Sequence, residues 1–211
     1  MADIQGSKII VRSVAVGAIM TNCYCIRRED SRDSVIVDPG AAGKEIYGLL
    51  SEKGLSCKAI LVTHAHFDHI GGLDALKELS GAEVMACEKE KLLFGDPKLS
   101  MLSDVGMKCE AGVDRWLKDG EVIDAAGISF TVMETPGHTE GSCCFYCPEG
   151  SFLISGDTMF CGSCGRTDFP TGNDRDMHRS LMKLLELPEE TAVYPGHDSP
   201  TTIGRERKTW S

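Results

Sequence analysis

The sequence has 211 residues, and its hydrophobic content of 42% is ordinary for a soluble globular protein. Its formal net charge of −10 at pH 7, spread along the chain, opposes nucleic-acid binding, which requires a basic surface. No apolar stretch approaches the roughly 18 residues that span a bilayer, and residues 1–8 lack a signal-peptide core. We therefore expect a cytoplasmic protein without a membrane partner, whose ten cysteines stay reduced thiols.

The first half of the chain alternates segments that predict strands with segments that predict helices. Short apolar or alternating runs predict five strands, at 9–16, 23–27, 34–37, 59–62 and 82–86. Apolar residues at helical spacing predict three helices, at 44–53, from near His69 to Leu79 and at 87–94.

The second half is richer in strands. Residues 95–113 have no clear period, and we expect them to form a surface segment over the active site. Six strands are predicted at 113–117, 120–123, 128–134, 142–146, 151–154 and 191–194, and a helix at 174–187. Two runs of strands with helices interspersed predict two packed sheets with helices outside, in a single domain over residues 1–211.

Metal-binding side chains cluster where the strand at 59–62 ends, in the run T-H-A-H-F-D-H. Because side chains alternate along extended backbone, His64, His66 and Asp68 can lie on one face, and His69 begins the next helix. A buried imidazole cluster without a cation would leave several polar groups unpaired. The run therefore predicts a metal site rather than a polar turn with incidental histidines.

Three more candidates each follow a predicted strand end and a glycine. They are His138 in P-G-H-T, Asp157 in S-G-D-T and His197 in P-G-H. A glycine there permits a tight turn that aims the next side chain into a shared site. Each segment alone could be a polar loop, but the recurrence favours ligands. Imidazole and carboxylate suit zinc, iron or manganese, with zinc the leading choice, and this many ligands suit two divalent ions about 3.5–4 Å apart.

Together these four motifs resemble those of the metallo-β-lactamase-fold hydrolases. The resemblance implies an αββα sandwich, in which two mixed β-sheets pack face to face with helices on the outer faces and metals at one edge. The runs G-D-T-M-F, G-R-T-D-F-P and Y-P-G-H-D-S-P-T-T-I-G-R-E further resemble the short bacterial glyoxalase II-like proteins. In that pattern Asp38, in V-I-V-D-P-G, matches a carboxylate that orients the metal-binding histidines.

Departures from the glyoxalase II pattern bear on the substrate. The full-length enzyme has a helical C-terminal domain that supplies part of the glutathione site, and we expect no such domain here. Where the family loop carries a lysine and a tyrosine, the nearest candidates are Arg166 and Phe169. Arg166 could pair with a substrate carboxylate or make no specific contact. Cys161 and Cys164 have C-x-x-C spacing, and we interpret them as free thiols near the rim of the site.

The leading functional hypothesis is hydrolysis of a small acyl thioester such as S-lactoylglutathione. Water acidified by the ions and held near Asp157 would attack the carbonyl, and Asp68 and Asp157 would serve catalysis as well as metal binding. Lactone or β-lactam hydrolysis and a mononuclear iron persulfide dioxygenase on His64, His138 and Asp157 are alternatives. A diiron electron-transfer domain is a further alternative, but its pattern has a glutamate where His66 stands and includes a flavodoxin module.

Overall fold

The structure, a computed structural model, describes residues 8–210 and contains two six-stranded β-sheets. The first sheet is built in chain order from β1 (Ile9–Val16), β2 (Thr21–Arg28), β3 (Asp33–Val37), β4 (Ser56–Val62), β5 (Glu83–Cys87) and β6 (Arg115–Leu117). The strands from β1 to β3 are antiparallel, and those from β3 to β6 are parallel. The sheet is therefore mixed, and helical crossovers connect the parallel strands β3, β4 and β5.

The second sheet follows in the second half of the chain. It consists of β7 (Val122–Ala125), β8 (Ile128–Glu134), β9 (Cys143–Cys147), β10 (Phe152–Gly156), β11 (Ala192–Pro195) and β12 (Thr201–Thr202). Neighbouring strands are antiparallel except β10 and β11, which are parallel. The strand predicted at 113–117 begins the second run of strands in the sequence but completes the first sheet as β6.

Helices cover the outer faces of both sheets. They are α1 (Gly43–Glu52), α2 (Phe67–Ile70), α3 (Leu73–Ser80), α4 (Lys91–Gly95), α5 (Asp174–Leu184) and α6 (Ile203–Trp210), with a 3-10 turn at Glu88–Glu90. Apolar layers lie between the sheets around Phe130, under α1 and α3 around Leu76, and under α5 around Leu181. This arrangement is the αββα sandwich that the resemblance predicted, and its being a single domain stays a prediction. Among the residues that the structure describes, no helix is long and apolar enough to span a bilayer.

The single helix predicted from near His69 is instead two helices, α2 and α3, separated by Gly71 and Gly72. A Cβ on Gly72 would lie only 2.7 Å from Ala41 O. This close backbone approach requires glycine, and the glycine pair interrupts the helix. The prediction that Asp68 projects from extended backbone is also wrong, because α2 already includes it.

Two other boundaries differ from the sequence prediction. The segment 87–94 was predicted as one helix, but it begins as the end of β5 and continues as the 3-10 turn and α4. The strand at 191–194 is the last element that the sequence predicts, but in the structure a further strand, β12, and a helix, α6, follow it. β12 has two residues, too few for a period to be visible, and α6 is mostly polar.

Strand ends meet at one edge of the sandwich, where backbone hydrogen bonds join the two sheets. Cys143 N donates to Thr63 O at 2.9 Å, and Asn22 N donates to Gly196 O at 2.7 Å. The first bond holds the loop after β4 against β9, and the second holds the loop after β11 against β2. Side chains in these loops therefore have fixed relative positions.

We predict that Gly40→Ala destabilises the protein and that Gly48→Ala does not. A Cβ on Gly40 would lie 1.5 Å from Asp68 O, and overpacking of this kind typically costs about 1–3 kcal/mol or more. Gly48 lies within α1 and has nothing within 4 Å of the same position. Alanine there should stabilise the helix by about 0.5–1 kcal/mol. Chemical denaturation measures both variants, and equal unfolding free energies would contradict the close approach.

Candidate metal centre

Seven metal-binding side chains meet at the edge where the strand ends converge. They are His64 and His66 after β4, Asp68 and His69 on α2, His138 after β8, Asp157 after β10 and His197 after β11. The four histidines other than His197 are at most 3% exposed. The structure therefore brings together all seven ligand candidates that the sequence predicted.

The first group consists of His64, His66 and His138, whose ring nitrogens lie within 4.8 Å of one another. His66 Nδ1 lies 2.9 Å from His138 Nε2. Two nitrogens at about 2.0–2.1 Å from one tetrahedral zinc ion would be about 3.4 Å apart, so this pair is close to ligand spacing.

The second group consists of Asp68, His69 and His197, again with ligand atoms within 4.8 Å. Asp68 Oδ2 lies 3.2 Å from His197 Nε2 and 3.3 Å from His69 Nε2. Thr21 Oγ1 donates to the same carboxylate oxygen at 2.7 Å and orients it. Because the two groups share no residue, each could hold an ion while the other is filled.

Asp157 lies between the two groups. Its Oδ2 is 3.6 Å from His138 Nε2 in the first group and 3.5 Å from His197 Nε2 in the second. Its Oδ1 is 3.4 Å from His69 Nε2. A carboxylate within reach of both groups can bridge two ions, so the seven residues form one continuous centre.

Two of the rings are held by hydrogen bonds from their outer nitrogen. His69 Nδ1 donates to Asp38 Oδ2 at 2.9 Å, and His138 Nδ1 donates to Arg166 O at 2.7 Å. Each bond keeps the proton on Nδ1 and leaves Nε2 facing the centre. Asp38 is itself held by Thr63, whose N and Oγ1 donate to its two oxygens at 2.8 and 2.6 Å. This geometry is what the predicted orienting role of Asp38 requires.

Burial and charge set different protonation states in the two groups. Burial lowers the pKa of His64, His66 and His138, and that of His66 falls to about 3. Burial also opposes charge on His69, but three neighbouring carboxylates outweigh it and raise its pKa. Burial therefore favours neutral imidazoles in the first group, whereas the carboxylates around His69 favour its charged form.

Several buried polar atoms of the centre have no hydrogen-bond partner in the described protein. They are His64 Nε2, His66 Nε2, His69 Nε2 and Asp157 Oδ1. An unpaired buried polar atom lowers the folding stability by about 1–3 kcal/mol. Imidazole nitrogens and carboxylate oxygens are also the ligand atoms that bind zinc, iron and manganese. The donor set therefore fits divalent metal ions.

Comparison with known proteins agrees with this chemistry. The family model described as Metallo-beta-lactamase superfamily matches residues 16–197. The chain belongs to this superfamily.

Three superfamily relatives resemble the chain over nearly its whole length. The hydroxyacylglutathione hydrolase GloC of Haemophilus influenzae is 34% identical over 94% of this chain and 95% of its own. The crystal structure of BLEG-1 B3 metallo-beta-lactamase has a TM-score of 0.90 at 35% identity, covering 94% of this chain and 97% of its own. That of TTHA1623 in a di-iron-bound form has a TM-score of 0.84 at 36% identity, covering 94% and 98%. These relatives and the superfamily match support a metal-dependent hydrolase.

The predicted substrate-binding residues, Arg166 and Phe169, line the cavity in front of the candidate metal centre. The Arg166 guanidinium lies 4.0 Å from the centre of the Phe169 ring. Its Nε and Nη2 donate to the two carboxylate oxygens of Asp168, both at 2.6 Å. Met101, in the segment 95–113, lines the same cavity, and the role expected for the rest of this segment stays a prediction.

The cysteines lie outside the ligand set. All ten fall within the described residues and are free thiols, as the sequence predicted. Cys161 and Cys164 are half-buried in the loop after β10. His178, the remaining histidine, is exposed on α5.

Glu90 is a buried carboxylate that the sequence pattern did not single out. Its Oε2 accepts a hydrogen bond from Ala65 N at 2.8 Å. Its Oε1 accepts from Gly141 N at 3.1 Å and from Thr139 Oγ1. Glu90 therefore ties together the two loops that carry the first ligand group. In the sequence it stands in C-E-K-E-K, where charged residues predict only a solvated face.

We predict that Asp38→Asn weakens metal binding without unfolding the protein. Asparagine tolerates the left-handed backbone at this position, where φ is 51°. Its amide has one acceptor oxygen, so the proton on His69 Nδ1 is no longer fixed, and zinc affinity should fall about 10–100-fold. Chelator competition measures this affinity. Asp33→Asn, at a side chain 49% exposed on β3, is the control, and an Asp38→Asn affinity equal to the control would refute the orienting role.

We predict that Glu90→Gln lowers the unfolding free energy by about 1–3 kcal/mol, because one buried donor loses its acceptor. Burial raises the pKa of Glu90 to about 7, so the comparison is made at pH 8, where the carboxylate is charged. Glu83→Gln, exposed at the start of β5, is the matched control. Urea denaturation midpoints that coincide for the two variants would show that the three contacts contribute nothing.

Proposed function

We propose that the protein hydrolyses small acyl thioesters and uses two divalent metal ions, zinc in the first place and iron or manganese as alternatives. The observation that carries the proposal is the pair of ligand groups on either side of Asp157 at the floor of an open cavity. One ion would be held by His64, His66 and His138, and the other by Asp68, His69 and His197. The name of the relative GloC makes a thioester the first substrate class to test.

The reaction joins the oxygen of water to the acyl carbon, breaks the carbon–sulfur bond and yields a carboxylate, a thiol and a proton. Divalent ions bound here would acidify water and polarise the carbonyl oxygen. Asp157 Oδ1 has no hydrogen-bond partner in the described protein and can orient the attacking water. Although burial opposes it, contacts with His69 and His197 lower the pKa of Asp68 and keep it ionised.

The cavity wall supplies the contacts to the substrate. The Phe169 ring centre lies 5.6 Å from that of His66 and 6.2 Å from that of His138, next to the reacting carbonyl in this proposal. Asp168 already neutralises part of the charge of Arg166 through Nε and Nη2, which leaves Nη1 for a substrate carboxylate. We therefore expect Phe169 to contribute more to substrate binding than Arg166.

Alternative reactions of the same centre differ in metal count and product. A mononuclear iron dioxygenase on His64, His138 and Asp157 would bind one ion and consume oxygen with glutathione persulfide. A lactone or β-lactam hydrolase would open a ring and release no thiol, and an electron-transfer domain would leave all these substrates unchanged. Two ligand groups without a common residue favour two ions over the single ion of the dioxygenase, and the products distinguish the remaining reactions.

We predict that the zinc-loaded protein binds two ions and releases thiol from acyl thioesters, and that His66→Ala abolishes this release. Removing a metal ligand should lower activity more than the roughly 10–100-fold that follows from removing a hydrogen-bonding partner of a ligand. Elemental analysis counts the ions, and a thiol-reactive dye follows the product. His178→Ala, at the exposed histidine on α5, is the control and should keep full activity.

The proposal would be refuted if the wild type released no thiol, or if His178→Ala lost thiol release together with His66→Ala. A single bound ion together with oxygen uptake on persulfide would assign the dioxygenase instead.

A further inference from the structure

Apolar side chains surround the opening of the candidate metal centre. The cavity has a volume of about 460 Å³. Apart from Gly165, Arg166 and the candidate ligands, its wall consists of Ile19, Phe67, Met101, Phe160 and Phe169. We call these five side chains the apolar rim. They come from the β1–β2 turn, from α2, from the segment 95–113 and from the loop after β10.

The apolar rim lies directly against the candidate ligands. The Phe169 ring packs edge-on against His66 at 5.6 Å, and the Phe160 ring packs edge-on against His197 at 6.0 Å between ring centres. Ile19 is 50% exposed at the outer side of the opening. Apolar surface left in water is unfavourable, and an exposed apolar ring around a polar centre is typical of a ligand site.

The opening carries little free positive charge. Among the described residues that line it, Arg166 is the one cation outside the candidate ligands, and two of its five N–H groups donate to Asp168. Glutathione has two carboxylates and an ammonium group, which require charged or polar partners when they are bound. The rim therefore offers an apolar group far more contact than it offers the charged ends of that tripeptide.

We propose that the apolar rim selects the acyl group, so that the preferred substrates are thioesters with an aliphatic or aromatic acyl group and the thiol carrier is recognised weakly. This inference rests on the proposed thioester hydrolysis. An acyl chain lying along Phe169 and Ile19 would leave its carbonyl beside the ligands and its sulfur towards solvent. Specificity would then come from burial of methylene groups rather than from ion pairs.

The test compares thioesters of increasing acyl length on two carriers with the metal-loaded protein. Acetyl, butyryl, hexanoyl and lactoyl groups are attached to glutathione and to N-acetylcysteamine, and thiol release is measured. We expect kcat/KM to rise up to about fourfold for each added methylene and to differ less than tenfold between carriers. A preference for the lactoyl over the hexanoyl group, or a larger preference for glutathione, would overturn the inference. Thiol release from no member of the series would overturn the proposed function itself.

Variants of the rim locate the selectivity. Ile19→Ala should lower kcat/KM for hexanoyl thioesters at least five times more than for acetyl thioesters, because a longer chain can bury more of its surface against this side chain. Ile19 is exposed, so the substitution leaves the core intact. Val122→Ala, at an apolar residue on β7 that is 63% exposed, is the control and should change neither value. An equal loss for both thioesters in Ile19→Ala would contradict selection by the rim.

Discussion

A cluster of buried imidazoles and carboxylates sets the constraint that the rest of the structure satisfies. Four of its polar atoms find no hydrogen-bond partner in the described protein, and buried polar atoms of this kind are rare in native proteins. A metal site accounts for them only if the ligand atoms lie within a few ångströms of one another. The residues that supply these atoms extend from His64 to His197, so the backbone must bring distant segments together before the side chains can bind anything.

The two sheets meet this constraint through their strand ends. Every ligand outside α2 follows directly or closely on a strand, and hydrogen bonds between the sheets fix the loops after β4 and β11. The glycines before Asp157 and His197 are part of the same arrangement. A Cβ on Gly156 would lie 2.5 Å from Thr63 Oγ1, and one on Gly196 would lie 2.2 Å from Asp157 Oδ1. A side chain at either position would push the ligand loops apart.

Sequence patterns predicted those parts of the site that local spacing determines. The histidines of T-H-A-H-F-D-H and the Gly-His and Gly-Asp pairs could be found because each motif places its metal-binding residue types within a few positions of the sequence. Glu90 could not be found, since its function depends on Ala65 and Gly141, which are distant in the sequence and contribute only backbone groups. The break between α2 and α3 was missed because the apolar period continues across Gly71 and Gly72, and β12 was missed because two residues are too few to show a period.

The candidate ligands and the apolar rim differ in how firmly the fold holds them, and this difference bears on specificity. The candidate ligands stand on α2 and in loops that begin at strand ends, where buried hydrogen bonds fix them, whereas most of the rim comes from turns and loops with partly exposed side chains. Loops tolerate substitution better than the elements that they connect, so one centre can serve different substrates as its surroundings change. Relatives of nearly equal identity carry the names of a hydroxyacylglutathione hydrolase and of a metallo-beta-lactamase, in agreement with this view. The choice of substrate therefore depends on the side chains at the opening. Among the described side chains that line it outside the candidate ligands, all are aliphatic or aromatic except Arg166, which donates two hydrogen bonds to Asp168.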